Sequence, residues 1–117
     1  MKDENAVKAA IRKSLKAKGI QHITATTNGF GSSGWPDICF LYRGVFVGIE
    51  CKFGKNKPSA LQEQKLDYIK AQGGIAMLVN EENIGDVERV LTFIYYDYSA
   101  NGVITSCKIA GVKLWRD

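Results

Sequence analysis

The sequence predicts a single-domain α/β fold in which a central mixed β-sheet is flanked by helices. The chain has 117 residues, which is the usual size of one domain. Two segments, residues 3–18 and 59–72, repeat their apolar residues at helical spacing. Short runs rich in β-branched and aromatic residues alternate with these segments, so the predicted order of elements is αβββαβ.

The first predicted helix, residues 3–18, carries Val7, Ile11 and Leu15 along one stripe and ends at Gly19. The short segment 20–26 is β-branched and predicts a strand. Residues 27–34 contain three glycines and two serines, which is typical of a loop.

Residues 37–42 and 45–52 predict two strands of a hairpin that turns at Arg43-Gly44. A turn centred there places Asp37 directly opposite Glu50, and Lys52 lies on the same face. The opposite face is apolar apart from one tyrosine hydroxyl, so we expect it to face the core. Its residues are Ile38, Phe40, Tyr42, Val45, Val47, Ile49 and Cys51.

The second predicted helix begins after a basic turn at residues 54–58, with Ser59 as its N-cap. We expect its apolar residues, Leu61, Leu66 and Ile69, to face inward. Gly73-Gly74 ends this helix, and residues 75–79 predict a buried strand.

A further helix is predicted beyond this strand, with Asn83 as its cap and Ile84, Val87 and Leu91 as its apolar residues. The remaining tail, residues 95–114, has two β-prone stretches around Asn101-Gly102 and predicts a second hairpin.

Composition restricts the class of protein. Hydrophobic residues make up 45% of the chain and charged residues 24%, values that exclude wholesale disorder. No apolar run approaches the roughly 20 residues that span a membrane, and the N-terminus lacks the pattern of a signal peptide. We therefore expect no membrane partner and a cytoplasmic location. Cys39, Cys51 and Cys107 lack the spacing of a redox or zinc motif, which favours reduced thiols in the core.

Positive charge is concentrated in the first part of the chain. Residues 1–70 carry twelve Lys and Arg against six Asp and Glu, whereas residues 71–117 carry four against six. A basic first half and a pI near 9.0 are compatible with binding a polyanion. They are equally compatible with solvated lysine faces.

The opposition of Asp37 and Glu50 needs a cause, because like charges across a hairpin repel. A hard divalent cation such as Mg²⁺ would supply one, with the backbone carbonyl of Cys51 as a further ligand. Lys52 would then orient an attacking water or offset phosphate charge. The alternative is a surface salt bridge from Lys52 to Glu50 or Asp37 on an exposed strand end.

Glu4 and Gln62 are further candidates. Glu4 lies on the core-facing stripe of the first helix, where a carboxylate either caps the helix or reaches into a site. Gln62 lies in the first turn of the next helix, just beyond Lys52, although an exposed glutamine is common there.

Other residues have open interpretations. Lys55 and Lys57 follow the site and either contact phosphates or are only solvated. Trp35 either packs under the loop or stacks on a base, and packing is the more conservative interpretation. His22 is the one histidine of the sequence, and we expect a structural or surface role for it.

Taken in order, these residues resemble the split PD-(D/E)xK signature of the restriction-endonuclease-like superfamily. The finer resemblance, over about residues 4–80, is to the VRR-NUC family of virus-type replication-repair nucleases. The matching positions are Glu4, Gly34 to Asp37, Glu50 to Lys52, Ser59 to Gln62, and Gly73-Gly74. Gln64 competes with Gln62 for the family glutamine, but Ser59 lies three residues before Gln62, which favours Gln62.

The resemblance implies a PD-(D/E)xK core over about residues 4–90 within a single VRR-NUC domain spanning 1–117, with a C-terminal hairpin-like extension over 91–117. It implies a Mg²⁺-dependent DNA endonuclease, in which Mn²⁺ can substitute and no other small-molecule cofactor takes part. The implied catalytic residues are Asp37, Glu50, Lys52 and Gln62, and the implied metal ligands are Glu4, Asp37, Glu50 and the Cys51 carbonyl. Lys55, Lys57 and Trp35 are the expected DNA contacts.

Small stand-alone members of this family are phage or prophage proteins associated with branched DNA such as Holliday junctions. The expected location is therefore the cytoplasm of a bacterial host or phage-infected cell. Paired cuts in a junction favour a homodimer, with the tail over 95–114 in the interface. Alternatively, the tail folds back and a monomer nicks flaps or splayed arms. The rival functions are a restriction-like enzyme that cuts duplex DNA at a sequence and a binding module of the same fold that does not cleave.

Overall fold

The structure is a computed structural model that describes residues 1–25, 34–98, 109 and 111–117. Within these residues the helices are α1 (Glu4–Ala17), α2 (Ala60–Ala71) and α3 (Asp86–Phe93). The strands are β1 (His22–Thr24), β2 (Ile38–Tyr42), β3 (Val45–Cys51) and β4 (Ile75–Val79). They form one sheet in the order β1-β2-β3-β4, antiparallel except for the parallel β3–β4 pair. The predicted α/β class and mixed sheet are confirmed.

Helix α1 forms because its ends are capped and one stripe is apolar. Asp3 Oδ1 accepts a hydrogen bond from the Ala6 N–H at 2.8 Å, and Gly19 at φ 72° follows the last turn. Val7, Ile11 and Leu15 are all buried. They pack with the apolar face of the β2–β3 hairpin, as predicted, and the buried residues of α3 join the same core.

The hairpin turns at Arg43 and Gly44, which both have positive φ, at 50° and 85°. Two central residues of this kind are typical of a type I′ turn, whose twist matches that of the strands. Tyr42 pairs with Val45, so the predicted register is confirmed. The predicted apolar face is also confirmed: six of its seven residues are buried and Tyr42 packs against them.

Helix α2 covers part of the opposite face of the sheet and connects the parallel strands β3 and β4. Its residues Leu66 and Ile69 form a small core with Ala76 of β4. A side chain at Gly48 of β3 would come within 2.6 Å of Ile69, so glycine is what lets helix and sheet approach. The inward orientation predicted for Leu61 is wrong, because its side chain is 50% exposed in the first turn of α2.

Asn83 does not cap the third helix. Its side chain accepts the Asn80 N–H and donates to the Leu78 carbonyl, which closes the turn after β4. Helix α3 therefore begins later, at Asp86, after Gly85. Val87 and Leu91 are buried as predicted.

The β-prone stretch predicted from residue 95 is wrong at its start, because Ile94–Tyr98 is π-helical. The physical reason is burial at helical spacing: Val87, Val90, Leu91 and Ile94 continue one apolar stripe into the core. The predicted turn at Asn101-Gly102 lies outside the described residues.

The end of the predicted extension, residues 111–117, packs against its own chain. The Trp115 backbone N–H donates to the Ala76 carbonyl of β4 at 2.9 Å, and its indole N–H donates to Asp67 of α2 at 2.8 Å. Lys70 of α2 donates to the carbonyls of Trp115 and Arg116. These contacts place the end of the chain against β4 and α2.

Cys39 and Cys51 are free and buried, as predicted, and Cys107 lies outside the described residues. Burial and the nearby Asp37 and Glu50 carboxylates raise the pKa of the Cys39 thiol to about 11. This thiol is therefore protonated at neutral pH. In the described part of the chain, no helix combines the length and the apolar character needed to cross a membrane.

Candidate active site at the open end of the hairpin

Asp37 and Glu50 lie opposite each other at the end of the hairpin away from its turn. Ile38 pairs with Ile49, so the register places the next pair outward, Asp37 and Glu50, on one face. Asp37 Oδ2 accepts a hydrogen bond from the Cys51 backbone N–H at 2.8 Å. The hairpin therefore positions both carboxylates, as the sequence predicts.

Glu50 is buried, with only 1% of its surface exposed. Lys52 Nζ lies 3.3 Å from Glu50 Oε2, and the Lys52 side chain is 15% exposed. The alternative of a salt bridge on an exposed strand end is therefore wrong: the Glu50–Lys52 pair exists but is enclosed. Burying such a pair is costly unless its remaining hydrogen-bonding atoms are satisfied.

The second oxygen of Glu50, Oε1, has no hydrogen-bond partner among the described residues. Burial, followed by repulsion from Asp37, raises the pKa of the Glu50 carboxyl to about 7; a hydrogen bond that protonated Glu50 makes with Asp37 adds to the shift, and Lys52 opposes it. A buried carboxylate oxygen without a partner is unusual in a folded protein and requires an explanation. A cation at this position would supply both the missing ligand and the missing charge.

Two lysines link Glu4 to this pair. Lys8 Nζ lies 3.2 Å from Asp37 Oδ1 and 3.4 Å from Glu4 Oε2, while Lys52 Nζ lies 3.9 Å from Glu4 Oε1. Partial burial opposes the Lys8 charge, but Asp37 and Glu4 outweigh it and raise the pKa of Lys8. Helix α1 therefore brings Glu4 to the site, as predicted, together with Lys8.

Sequence reasoning missed Lys8. The signal was its spacing, because Glu4 and Lys8 are four residues apart and share one face of α1. Its contact with Asp37 depends on how α1 crosses the sheet, which the spacing does not give.

Asp37, Glu50 and the Cys51 carbonyl can hold a hard cation. The Lys52 N–H donates to Val79 on the β4 side, and the Cys51 N–H donates to Asp37 on the β2 side. Because the N–H and C=O of one strand residue point to the same side, the Cys51 carbonyl also faces Asp37. Mg²⁺ commonly takes one or two carboxylates together with water, so this donor set fits it.

Glu4 is not gathered with the two carboxylates as a third ligand. Within the described ranges, no three Asp, Glu, His or Cys side chains lie close enough to hold one metal ion. The lysine ammonium groups lie between Glu4 and its neighbours. Direct coordination by Glu4 would require its side chain to move.

Gln62 forms a capping box at the start of α2. Its Oε1 accepts the Ser59 N–H at 2.8 Å, and Ser59 Oγ accepts the Gln62 N–H at 3.2 Å. The predicted cap at Ser59 is thus confirmed. The amide NH₂ of the partly exposed Gln62 can still donate to water or phosphate, whereas Gln64 is exposed on the helix surface.

Trp35 packs on α2. Its ring contacts the Leu66 cluster and meets Tyr68 edge to face at 6.3 Å, and the Lys65 ammonium lies 4.8 Å above it. These contacts support packing as the role of Trp35. The other two predicted DNA contacts, Lys55 and Lys57, are both exposed in the turn that follows Lys52.

Gly34 holds the segment that leads to Asp37 against α2. It has φ 89°, and a Cβ there would lie 2.6 Å from the Leu61 backbone oxygen. Only glycine meets both conditions without displacement.

We expect Gly34→Ala to lower the free energy of unfolding by about 2 kcal/mol or more, because positive φ and a backbone clash both oppose alanine. Gly54→Ala is the matched control, since Gly54 also has positive φ but open space around it. Urea unfolding of both variants measures the difference. Equal losses would show that the contact with Leu61 is unimportant.

Comparison with known proteins adds no assignment. No protein-family model matches the chain, and no curated protein matches it significantly.

Proposed function

We propose that this protein is a divalent-metal-dependent DNA endonuclease with a PD-(D/E)xK core of the VRR-NUC type. The observation that carries the proposal is the enclosed Glu50, whose Oε1 has no partner among the described residues and which faces Asp37 beside the Cys51 carbonyl. A buried ion pair of this kind is weak evidence for a role in stability. Mg²⁺ binding would explain the buried pair of carboxylates, and Mn²⁺ could replace Mg²⁺.

Each residue of the site has a defined task in this proposal. Asp37 and Glu50 hold the cation, with the Cys51 carbonyl as a backbone ligand. When bound, the cation stabilises charge that develops on the phosphodiester and lowers the pKa of the attacking water. Lys52, held 3.3 Å from Glu50, donates hydrogen bonds to that water or to a phosphate oxygen.

The remaining predicted residues act around this centre. Glu4 would act on the cation through water, because the lysines separate it from Asp37 and Glu50. The Gln62 amide NH₂ orients phosphate or water while its oxygen maintains the capping box. Lys55 and Lys57 contact phosphates of the substrate beyond the site.

The proposed substrate is branched DNA, and the proposed active form is a homodimer in the cytoplasm of a bacterial or phage-infected cell. A four-way junction needs two symmetric cuts, which a two-fold dimer supplies. Trp115 bonds to Ala76 and Asp67 of its own chain. We therefore assign the proposed dimer contacts of the tail to residues other than Trp115.

The test compares duplex, flap, splayed-arm and four-way DNA with Mg²⁺, Mn²⁺ or EDTA. We expect paired incisions in the four-way junction, none in EDTA, and a dimer in sedimentation at micromolar concentration. Cleavage of linear duplex at one sequence would favour the restriction-like alternative. DNA binding without cleavage in any metal would favour the non-cleaving module, and a monomer that cuts one strand would remove the dimer alone.

A further inference from the structure

A basic groove runs along α1 and the edge strand β1, beyond the candidate site. Its volume is about 770 Å³. Its lining contains three cationic side chains and no acidic one; the lining residues are Ala9, Arg12, Lys13, Lys16, Gly19, Ile20, Gln21 and His22.

The charge of this groove is available to a ligand. Arg12, Lys13 and Lys16 are exposed, and within the described ranges none of the three forms an ion pair. Some basic residues on other surfaces are paired, such as Lys18 with Glu88 and Lys70 with Asp117. Three clustered charges without a neutralising partner are the electrostatic signature of an anion-binding surface.

The groove also offers a neutral hydrogen-bonding group. Gln21 is exposed at the start of β1 and carries an amide that can bond to a phosphate. Gln21 lines the groove together with the cationic residues of α1.

Helix geometry connects this groove to the candidate site. Lys8, Arg12 and Lys16 follow one another at four-residue spacing, which places them on one side of α1. Lys8 contacts Asp37 at 3.2 Å, so the row begins at the site. At 1.5 Å per residue, the row from Lys8 to Lys16 is about 12 Å long, which matches about four phosphates of one strand.

We propose that the α1–β1 groove binds the sugar–phosphate backbone of the DNA substrate on one side of the scissile bond. This inference rests on the proposed function, because the cationic row on α1 starts at Lys8, which contacts Asp37 of the proposed active site. The groove binds by charge and shape, since its cationic side chains are suited to phosphates.

The groove variant is Arg12→Gln, Lys13→Gln and Lys16→Gln combined. Its control is Arg43→Gln, Arg89→Gln and Lys113→Gln, which removes the same charge from exposed side chains that do not line the groove. Glutamine retains helix propensity, and all six residues are exposed, so we expect both variants to fold. Circular dichroism checks the fold of each.

We expect the groove variant to bind a fluorescent 20-bp duplex in EDTA about 10-fold to 100-fold more weakly than the control. Three lost phosphate contacts should reduce the slope of log affinity against log salt by about 2.7. In Mg²⁺, KM should rise while kcat is unchanged. Shortening the duplex flank below about four base pairs should weaken wild-type binding but not binding by the groove variant.

The failure of this inference and that of the proposed function are distinguishable. A wild-type protein that cuts DNA while the groove and control variants bind it equally overturns the groove and leaves the nuclease. A wild-type protein that binds through the groove but never cuts leaves the groove and overturns the nuclease. A wild-type protein that does not bind DNA overturns both.

Discussion

Asp37→Asn, Glu50→Gln and Lys52→Ala should each lower Mg²⁺-dependent DNA cleavage by on the order of 10³-fold or more. A bound cation contributes several kcal/mol to stabilising a phosphodiester transition state, and each 1.36 kcal/mol is about a factor of ten in rate. Removing either carboxylate removes a ligand, and removing Lys52 removes the donor beside Glu50. Single-turnover cleavage with saturating enzyme isolates the effect on the chemical step.

Metal binding separates the three variants. Titration calorimetry with Mn²⁺ should give binding for wild type and Lys52→Ala, and little or none for Asp37→Asn and Glu50→Gln. Glu82→Gln is the matched control because Glu82 is an exposed carboxylate on the turn after β4. Wild-type cleavage by Glu50→Gln would show that the site is assigned to the wrong residues.

The sequence was sufficient to predict the hairpin and its register because the two faces of the hairpin differ so strongly. A slip of one residue would place Glu50 and Lys52 in the core in place of Ile49 and Cys51. The same reasoning predicted the carboxylate pair. The register of the hairpin and the placement of the carboxylate pair depend on local periodicity and on turn chemistry, both of which are visible in one sequence.

The burial of Glu50 could not be predicted in this way. Periodicity assigns Glu50 to a face of the sheet, but whether that face is covered depends on the packing of other elements. The close approaches at Gly34 and Gly48 illustrate that packing, because each lets another segment contact the α2 region directly. The alternative of a surface salt bridge was therefore correct about the Glu50–Lys52 pair and wrong about its exposure.

The errors elsewhere have similar causes. Asn83 has the chemistry of a helix cap, but its side chain closes the preceding turn instead. Leu61 is apolar like a core residue, but its side chain in the first turn of α2 is 50% exposed. Tyr95 and Tyr96 are β-prone, yet the apolar stripe that ends in Ile94 keeps the chain helical.

The second large effect concerns stability in the absence of metal. Glu50→Gln should raise the free energy of unfolding at pH 8 in EDTA by on the order of 3 kcal/mol. The pKa of the Glu50 carboxyl rises from 4.5 to about 7 on folding. This rise makes the ionised carboxylate about 3 kcal/mol less favourable in the folded state than in the unfolded chain. Glutamine has nearly the same shape without the charge, so it avoids this cost.

The sign of the pH dependence follows from the same shift. Between about pH 4.5 and pH 7, the folded protein binds more protons at Glu50 than the unfolded chain does. Wild-type stability should therefore fall as pH rises through this range and level off above it. Asp37 strengthens the effect and Lys52 weakens it, while Lys8 and Glu4 extend the same charge network.

Urea unfolding at pH 5 and pH 8 in EDTA measures the effect, with Glu82→Gln again as the control. The advantage of Glu50→Gln over wild type should be small at pH 5 and large at pH 8. Adding Mg²⁺ at pH 8 should stabilise wild type, because the cation binds only the folded state, and should leave Glu50→Gln unchanged. Wild-type stability that does not vary from pH 5 to pH 8, or loss of stability in Glu50→Gln at pH 8, would contradict the prediction. A protein that gains stability when Glu50 is neutralised retains this carboxylate for another purpose, and Mg²⁺ binding at Asp37 and Glu50 is the purpose that its chemistry favours.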